Sequence, residues 1–263
     1  MDLVRVSAGA VWRITLNRPD QRNAVNAQML GELLRALGDA AADPGARVVV
    51  LAGEGRHFCA GADIEELAGA TDSADGIDYG RSLEEALRTI GEHPLPVLAV
   101  VQGGALGAGC QLAVACDLAI AAADATFGIP SARLGVVINF ENLQRLVLAV
   151  GPKRASDLLI AGRTISGEEA AAWGLVNEAV PPGDLPNRAL EAAERVADAA
   201  PLSVRASKRG IREVLANQGV DRATEGFRLA DFDMMAAQAF GSEDLKEGIA
   251  AFRERRDPEF RGR

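Results

Sequence analysis

Short apolar runs that are typical of buried strands alternate along this chain with longer stretches of helical periodicity. The strand-like runs are Val11 to Leu16, Val48 to Leu51, Val97 to Val101, Leu118 to Ala121 and Leu175 to Val180. The clearest helical stretches between them are Ala27 to Ala42 and Ala108 to Ala115. This alternation predicts an α/β fold with a mostly parallel sheet.

Two further patterns locate helices. Ser82 with Glu85, and Ser166 with Glu169, have the spacing of a capping box and predict helix starts. Beyond Pro201 the pattern changes to three consecutive helices, Leu202 to Ala216, Val220 to Ala239 and Leu245 to Arg255. The middle one is apolar around much of its circumference, so it needs partners on more than one side, either within the monomer or at a subunit interface. Its stripe comprises Val220, Ala223, Phe227, Ala230 and Met234.

Composition excludes several classes of protein. With 263 residues, 48% hydrophobic and 25% charged, the chain has ample material for a core. Its net charge of -9, with no long basic block in its interior, disfavours binding to nucleic acid or to an anionic membrane. Three cysteines and two histidines without metal-site spacing argue against structural zinc. The opening residues do not have the pattern of a signal peptide, so we expect a reducing, cytoplasmic setting.

The most informative segments are two glycine-spaced turns, Gly53 to Asp63 and Gly103 to Gln111, each of which follows a strand-like run. Glycines let a ligand approach the backbone closely, and a helix starting near Ala108 adds free N–H groups and a positive dipole end. Such donors stabilise the negative charge that develops on a carbonyl oxygen when a proton or a carboxylate leaves the neighbouring carbon. The two turns therefore predict an oxyanion hole.

These turns resemble the two oxyanion-hole loops of the crotonase superfamily, the enoyl-CoA hydratase/isomerase family. The similarity extends over nearly the whole chain and includes Leu16 to Pro19, Asn23 to Asn26, Gly151 to Ala155, Ser242 to Asp244 and Phe252 to Arg256. The resemblance implies a crotonase-like spiral of ββα units over residues 1–200, with the acyl-CoA site, and a C-terminal helical region over 201–263 for oligomerisation and CoA contact. It also implies a homotrimer or a dimer of trimers.

The resemblance assigns the oxyanion-hole amides to Ala62 and Ala108. Hydratases of the family carry their two catalytic glutamates at positions that match Gln111 and Ser131. Neither side chain can act as a carboxylate base. We therefore expect enolate chemistry on an acyl-CoA thioester, as a lyase or isomerase, and not ordinary hydration.

Other catalytic positions of the family are also changed. The position of the dienoyl isomerase and dehalogenase aspartate matches Asn139, and that of the decarboxylase tyrosine matches Ile138. Glu141 is the nearest remaining carboxylate, and it either reaches the substrate or faces solvent at the start of a helix from Asn142 to Val150.

The resemblance also implies that the acyl-CoA is bound by side chains, by backbone groups and by small residues beside them. The positions are Arg22, Ala24, Ala60, Asp63, Ile64, Gly107, Asn139, Phe252 and Arg255. Asp63 is expected to brace its loop. No cofactor beyond the CoA of the substrate, and no metal, is implied. His57 is interpreted as a surface residue, His93 as part of a turn, and Cys59 and Cys110 as packing residues.

Two alternatives remain. With both glutamates replaced, the protein could bind an acyl-CoA without transforming it, as a sensor, carrier or scaffold. A dinucleotide-binding unit is disfavoured because the second turn reads G-x-x-G-x-G and Leu83 stands four residues after the sole tyrosine, Tyr79.

Overall fold

The computed structural model describes residues 2–69, 74–217, 237, 241–256 and 258. Its strands are β1 Val4–Ser7, β2 Val11–Leu16, β3 Val48–Gly53, β4 Val97–Val101, β5 Gly104–Leu106, β6 Leu118–Ala122, β7 Thr126–Gly128, β8 Thr164–Ser166 and β9 Glu178–Val180. Its helices are α1 Ala27–Ala42, α2 Ile64–Gly69, α3 Ala74–Glu92, α4 Ala108–Ala115, α5 Ser131–Leu134, α6 Phe140–Val150, α7 Pro152–Leu159, α8 Gly167–Trp173, α9 Leu185–Ala197, α10 Pro201–Asn217 and α11 Glu243–Glu254.

A six-stranded sheet with the order β1-β2-β3-β4-β6-β9 forms the centre of the fold, and only the β1–β2 pair within it is antiparallel. Every residue of β3 and β4 is buried, as expected for parallel strands covered on both faces. The predicted α/β class with mostly parallel pairing is confirmed. A second, three-stranded sheet has the order β5-β7-β8.

Helix α1 shows how local sequence sets an element. Its N-cap, Asn26, accepts a hydrogen bond from the Met29 N–H at 2.9 Å, and apolar side chains at three- and four-residue spacing are buried against the core. The capping box predicted at Ser166 is present, with both of its bonds formed with Glu169 at 3.0 and 3.1 Å. These two starts follow from side chains that can satisfy free backbone donors.

The structure differs from the predicted elements at Ser82 and at Leu175. Ser82 and Glu85 lie inside α3, so the helix start predicted there is wrong: the helix already runs past Ser82, whose spacing to Glu85 is ordinary for a helix interior. The strand predicted from Leu175 is confined to β9, because α8 ends at Gly174 in a left-handed cap. Apart from residue 237, the helix predicted over Val220 to Ala239 lies outside the described residues.

The C-terminal helices that are described pack onto the α/β core. Leu245 of α11 is fully buried with Leu67 of α2 and Ile249 in a small apolar cluster. The division at residue 200 and the oligomerising role of residues 201–263 stay predictions. Within the described chain, no helix has the length and apolar character that crossing a bilayer requires.

Candidate active site

The first glycine-spaced turn leaves β3 and returns alongside Val25. The Gly61 carbonyl oxygen accepts from the Val25 N–H at 2.8 Å, and the Asp63 N–H donates to the Val25 carbonyl oxygen at 2.8 Å. In a trans peptide the C=O and N–H groups point in opposite directions. The Ala62 N–H, which shares its peptide group with the Gly61 carbonyl, therefore points away from Val25, and it meets no acceptor among the described residues.

The second turn passes from β5 into α4. Gly107 has φ 53°, and its carbonyl oxygen accepts the Gln111 N–H at 3.1 Å inside the helix. The N–H of the same peptide group belongs to Ala108, so it points out of the helix N-terminus, where the helix dipole is positive. In the described part of the chain this amide also has no acceptor.

The two turns touch each other through their backbones. A Cβ on Gly61 would lie 3.0 Å from the Leu106 carbonyl oxygen and 3.8 Å from the Ala108 nitrogen. A Cβ on Gly109 would lie only 2.2 Å from the Cys59 carbonyl oxygen. Glycine is thus needed for close approach, and the two free amides, Ala62 and Ala108, lie on adjoining turns.

Two side chains that the sequence did not single out for this purpose brace the turns. Asn23 is fully buried; its amide nitrogen donates to the carbonyl oxygens of Glu54 at 2.9 Å and His57 at 2.7 Å, and its Oδ1 accepts from the Arg18 N–H at 2.8 Å. The His57 ring accepts from the Gly104 N–H through Nδ1 at 3.0 Å. His57 therefore links the two turns and is not merely a surface residue.

Asp63 also braces the first turn. Its carboxylate lies 2.9 Å from the Arg18 guanidinium and accepts from the Glu65 N–H at 3.1 Å. Beside it, the Ala60 N–H donates to the Arg22 carbonyl oxygen at 2.9 Å, while the Arg22 side chain is exposed. An aspartate held by an ion pair and a backbone amide suits a structural role and not proton transfer.

The positions that correspond to the hydratase glutamates lie on helices that follow two paired strands. Register pairing of Leu106 with Gly128 places the ends of β5 and β7 side by side, so Gln111 of α4 and Ser131 of α5 follow neighbouring strand ends. Both side chains are buried. Gln111 Oε1 accepts from Asn142 Nδ2 at 3.4 Å, whereas the Ser131 hydroxyl has no partner in the described chain.

The segment after Ser131 does not supply a buried carboxylate. Glu141 is exposed in the first turn of α6, so it starts the helix and faces solvent. That helix begins at Phe140, two residues before the predicted start, because Asn139 caps it by accepting the Asn142 N–H at 2.9 Å. Ile138 is buried.

Three buried side chains near the turns, two thiols and a phenol, have raised pKa values. Burial raises the pKa of both Cys59 and Cys110 to about 12, so neither is a thiolate at neutral pH. The Tyr79 hydroxyl of α3 is buried without a hydrogen-bond partner among the described residues, and burial raises its pKa. Packing is therefore the role of the two cysteines, as predicted.

The residues proposed for CoA contact lie in loops and at helix ends as well as on α2 and α11. Ile64 opens α2 and packs on the apolar cluster of Leu245, while Phe252 and Arg255 are exposed on and just after α11. Arg253 forms an ion pair with Glu65 at 2.8 Å, which joins α11 to α2. The structure thus brings the last helix to the edge of the first turn.

Comparisons with known proteins agree over the whole length of the chain. The family model described as enoyl-CoA hydratase/isomerase matches residues 7–263. A putative enoyl-CoA hydratase of Thermus thermophilus is 40% identical over 260 residues, which cover 98% of this chain and 100% of that protein. The 2,3-dehydroadipyl-CoA hydratase of Escherichia coli is 37% identical over 256 residues, 96% of each chain. Among solved structures, a methylmalonyl-CoA decarboxylase in complex with 2-nitronate-propionyl-CoA superposes with a TM-score of 0.88 at 28% identity, covering 99% of both chains.

Proposed function

Because this chain belongs to the enoyl-CoA hydratase/isomerase family, which acts on acyl-CoA thioesters, we propose that it stabilises the enolate of an acyl-CoA and does not catalyse ordinary hydration. The thioester oxygen binds between the Ala62 and Ala108 amides. The observation that carries the proposal is the pair of N–H groups on adjoining turns that meet no acceptor within the described chain. Each such donor is worth roughly 3–4 kcal/mol to an oxyanion.

The acid and base positions support the second half of the proposal. Addition of water across a double bond uses a carboxylate to activate the water and an acid to protonate the α-carbon. Gln111 and Ser131 can donate hydrogen bonds but cannot fill the first role at neutral pH. Relatives named as hydratases make hydration the competing expectation, whereas the similar methylmalonyl-CoA decarboxylase is a protein whose name indicates loss of a carboxylate.

We further propose a homotrimer or dimer of trimers in the cytoplasm, with no cofactor beyond the CoA of the substrate. Exposed apolar side chains in the described C-terminal region support assembly: Leu202 is 81% exposed, Ile211 61% and Phe252 60%. Such side chains are commonly covered at subunit interfaces.

A panel of CoA thioesters tests the proposal. Crotonyl-, 3-enoyl- and malonyl-type CoA esters are incubated with the protein in D₂O, and product formation and α-carbon deuteration are followed by NMR. We expect deuteration, isomerisation or decarboxylation with at least one ester. Hydration of crotonyl-CoA at an ordinary enzymatic rate would contradict the proposal.

The same panel separates the second candidate, a non-catalytic acyl-CoA-binding protein. The observation in its favour is that both glutamate positions lack a carboxylate. Tight binding of an acyl-CoA with neither turnover nor deuteration on any ester would favour this candidate.

A further inference from the structure

Arg145 fixes which atoms donate and which accept in the hydrogen bonds around Gln111. A guanidinium only donates hydrogen bonds. Arg145 Nη1 donates to Asn142 Oδ1 at 3.3 Å and to the Leu87 carbonyl oxygen of α3 at 3.5 Å. Its other terminal nitrogen lies 2.5 Å from the position that a Cβ on Gly91 would occupy, so the guanidinium is seated against α3.

Asn142, which is 2% exposed, lies between Arg145 and Gln111 and forms hydrogen bonds with both. The nitrogen and oxygen of an amide are nearly the same size, so their partners decide which way the group faces. Because Oδ1 of Asn142 must face Arg145, Nδ2 of Asn142 faces Gln111. The Gln111 atom that accepts this hydrogen bond, at 3.4 Å, must then be Oε1. The Nε2 group of Gln111 is left on the other side.

That Nε2 group has no acceptor among the described residues. Gln111 is three residues beyond Ala108, so the two lie on one face of α4. Helical side chains lean towards the N-terminus, which directs the amide of Gln111 over the turn that carries the free Ala108 N–H. The Ser131 hydroxyl also has no partner in the part of the chain that the structure describes, and Ser131 opens the helix after the adjoining strand.

We propose that Arg145 and Asn142 hold Gln111 as a hydrogen-bond donor to the acyl group, so that the site selects acyl-CoA thioesters whose acyl group carries a second acceptor oxygen, besides that of the thioester, over unsubstituted acyl groups. This rests on the proposed function, since the thioester oxygen must lie at the Ala62 and Ala108 amides. Gln111 is the specificity-determining residue, and Asn142 is a positioning residue that acts through it.

The substitution Asn142→Asp tests the direction of the hydrogen bonds. An ionised aspartate only accepts, so it takes one bond from Arg145 and one from Gln111 Nε2, which turns the Gln111 amide over and presents Oε1 to the acyl group. Isothermal titration calorimetry with acetoacetyl-CoA and butyryl-CoA compares an acyl group with and without the acceptor. In the native protein we expect acetoacetyl-CoA to bind about tenfold more tightly than butyryl-CoA, the effect of one hydrogen bond.

In Asn142→Asp we expect that preference to disappear while butyryl-CoA affinity stays within about threefold of the native value. Gln111→Met, which removes the donor and keeps the volume, should lose the same preference. Asn187→Asp adds the same charge on the exposed surface of α9 and should retain it.

Two outcomes overturn the inference: equal affinity of the native protein for the two esters, or an unchanged preference in both Asn142→Asp and Gln111→Met. Either result leaves the proposed function standing, because both esters still bind. Failure of the native protein to bind any acyl-CoA would instead contradict the proposed function itself.

Discussion

The ammonium group of Lys208 on α10 lies 2.6 Å from the Asp117 carboxylate, which also accepts the Val97 N–H at 2.7 Å. The lysine side chain is 6% exposed and donates further to the carbonyl oxygens of Ile90 and Leu95 at 3.3 and 3.0 Å. A single buried cation thus fastens α10 to the end of α3 and the start of β4.

Lys208→Met should therefore lower the free energy of unfolding by about 3 kcal/mol, because it leaves a partly buried carboxylate and two carbonyl oxygens without their donor. Urea denaturation measures the change. Arg209→Met alters the neighbouring exposed position of the same helix and should have little effect. Equal midpoints for the two variants would show that Lys208 does not fasten α10.

Gly109→Ala should separate the two turns of the site. Its Cβ would lie 2.2 Å from the Cys59 carbonyl oxygen, so backbone must move, and we expect a loss of about 1–3 kcal/mol in stability together with weaker acyl-CoA binding. Gly31→Ala in α1 is the matched control, since nothing lies within 4 Å of its Cβ, and it should stabilise by up to about 1 kcal/mol. Thermal melting and calorimetry measure both; unchanged binding in Gly109→Ala would contradict the close contact.

Ala108→Pro should remove one oxyanion donor and keep the helix. Ala108 is the first residue of α4, a position that tolerates proline because its N–H has no partner within the helix. We expect kcat to fall by about 10²–10³-fold. Ala108→Gly keeps the N–H and serves as the control. The rate of α-carbon deuteration reports the step directly, and a rate equal to that of Ala108→Gly would rule out a catalytic role for this amide.

The free energy of unfolding should fall in mild acid because of His93. Its Nε2 lies 2.9 Å from the Leu37 carbonyl oxygen, its Nδ1 lies 3.2 Å from both the nitrogen and the carbonyl oxygen of Leu95, and burial lowers the pKa of the ring below the ordinary 6.5. The unfolded chain then binds a proton before the folded one does. The contribution of His93 to the free energy of unfolding is complete above about pH 6.5 and is lost as the pH falls towards its lower pKa in the folded state.

Urea midpoints measured between pH 8 and pH 5 test this. His93→Gln should reduce the dependence on pH over that range, and His57→Asn should retain the part due to His93. Identical slopes for His93→Gln and the native chain would contradict the assignment.

Periodicity located the central elements well, because they depend on local signals. The bounds of α1 and α4 agree with the pattern, since each has a long apolar face or an abrupt glycine start. The short strands β5, β7 and β8 were missed because three residues carry no period, and their pairing depends on contacts between distant segments. Ser82 misled because a serine three residues before a glutamate also fits a helix interior.

The site was only partly predictable. The two turns could be recognised from their glycines, but the braces could not, because Asn23 and His57 act through backbone atoms that are remote in sequence. Asn142 gave no signal either. The role of Asn142 depends on its hydrogen bonds with Arg145 and with Gln111. Gln111 comes within reach only because α6 packs against α4.

The position of α11 late in the chain decides when one contact of the candidate site forms during synthesis. A Cβ on Gly248 would lie 2.8 Å from the backbone of Leu134, so α11 rests directly on the short helix that Ser131 opens. A ribosome-bound chain that had emerged only as far as α10 would already contain every strand of both sheets. It would still lack α11, so the short helix that begins at Ser131 gains this contact only after the strands of both sheets are available to pair.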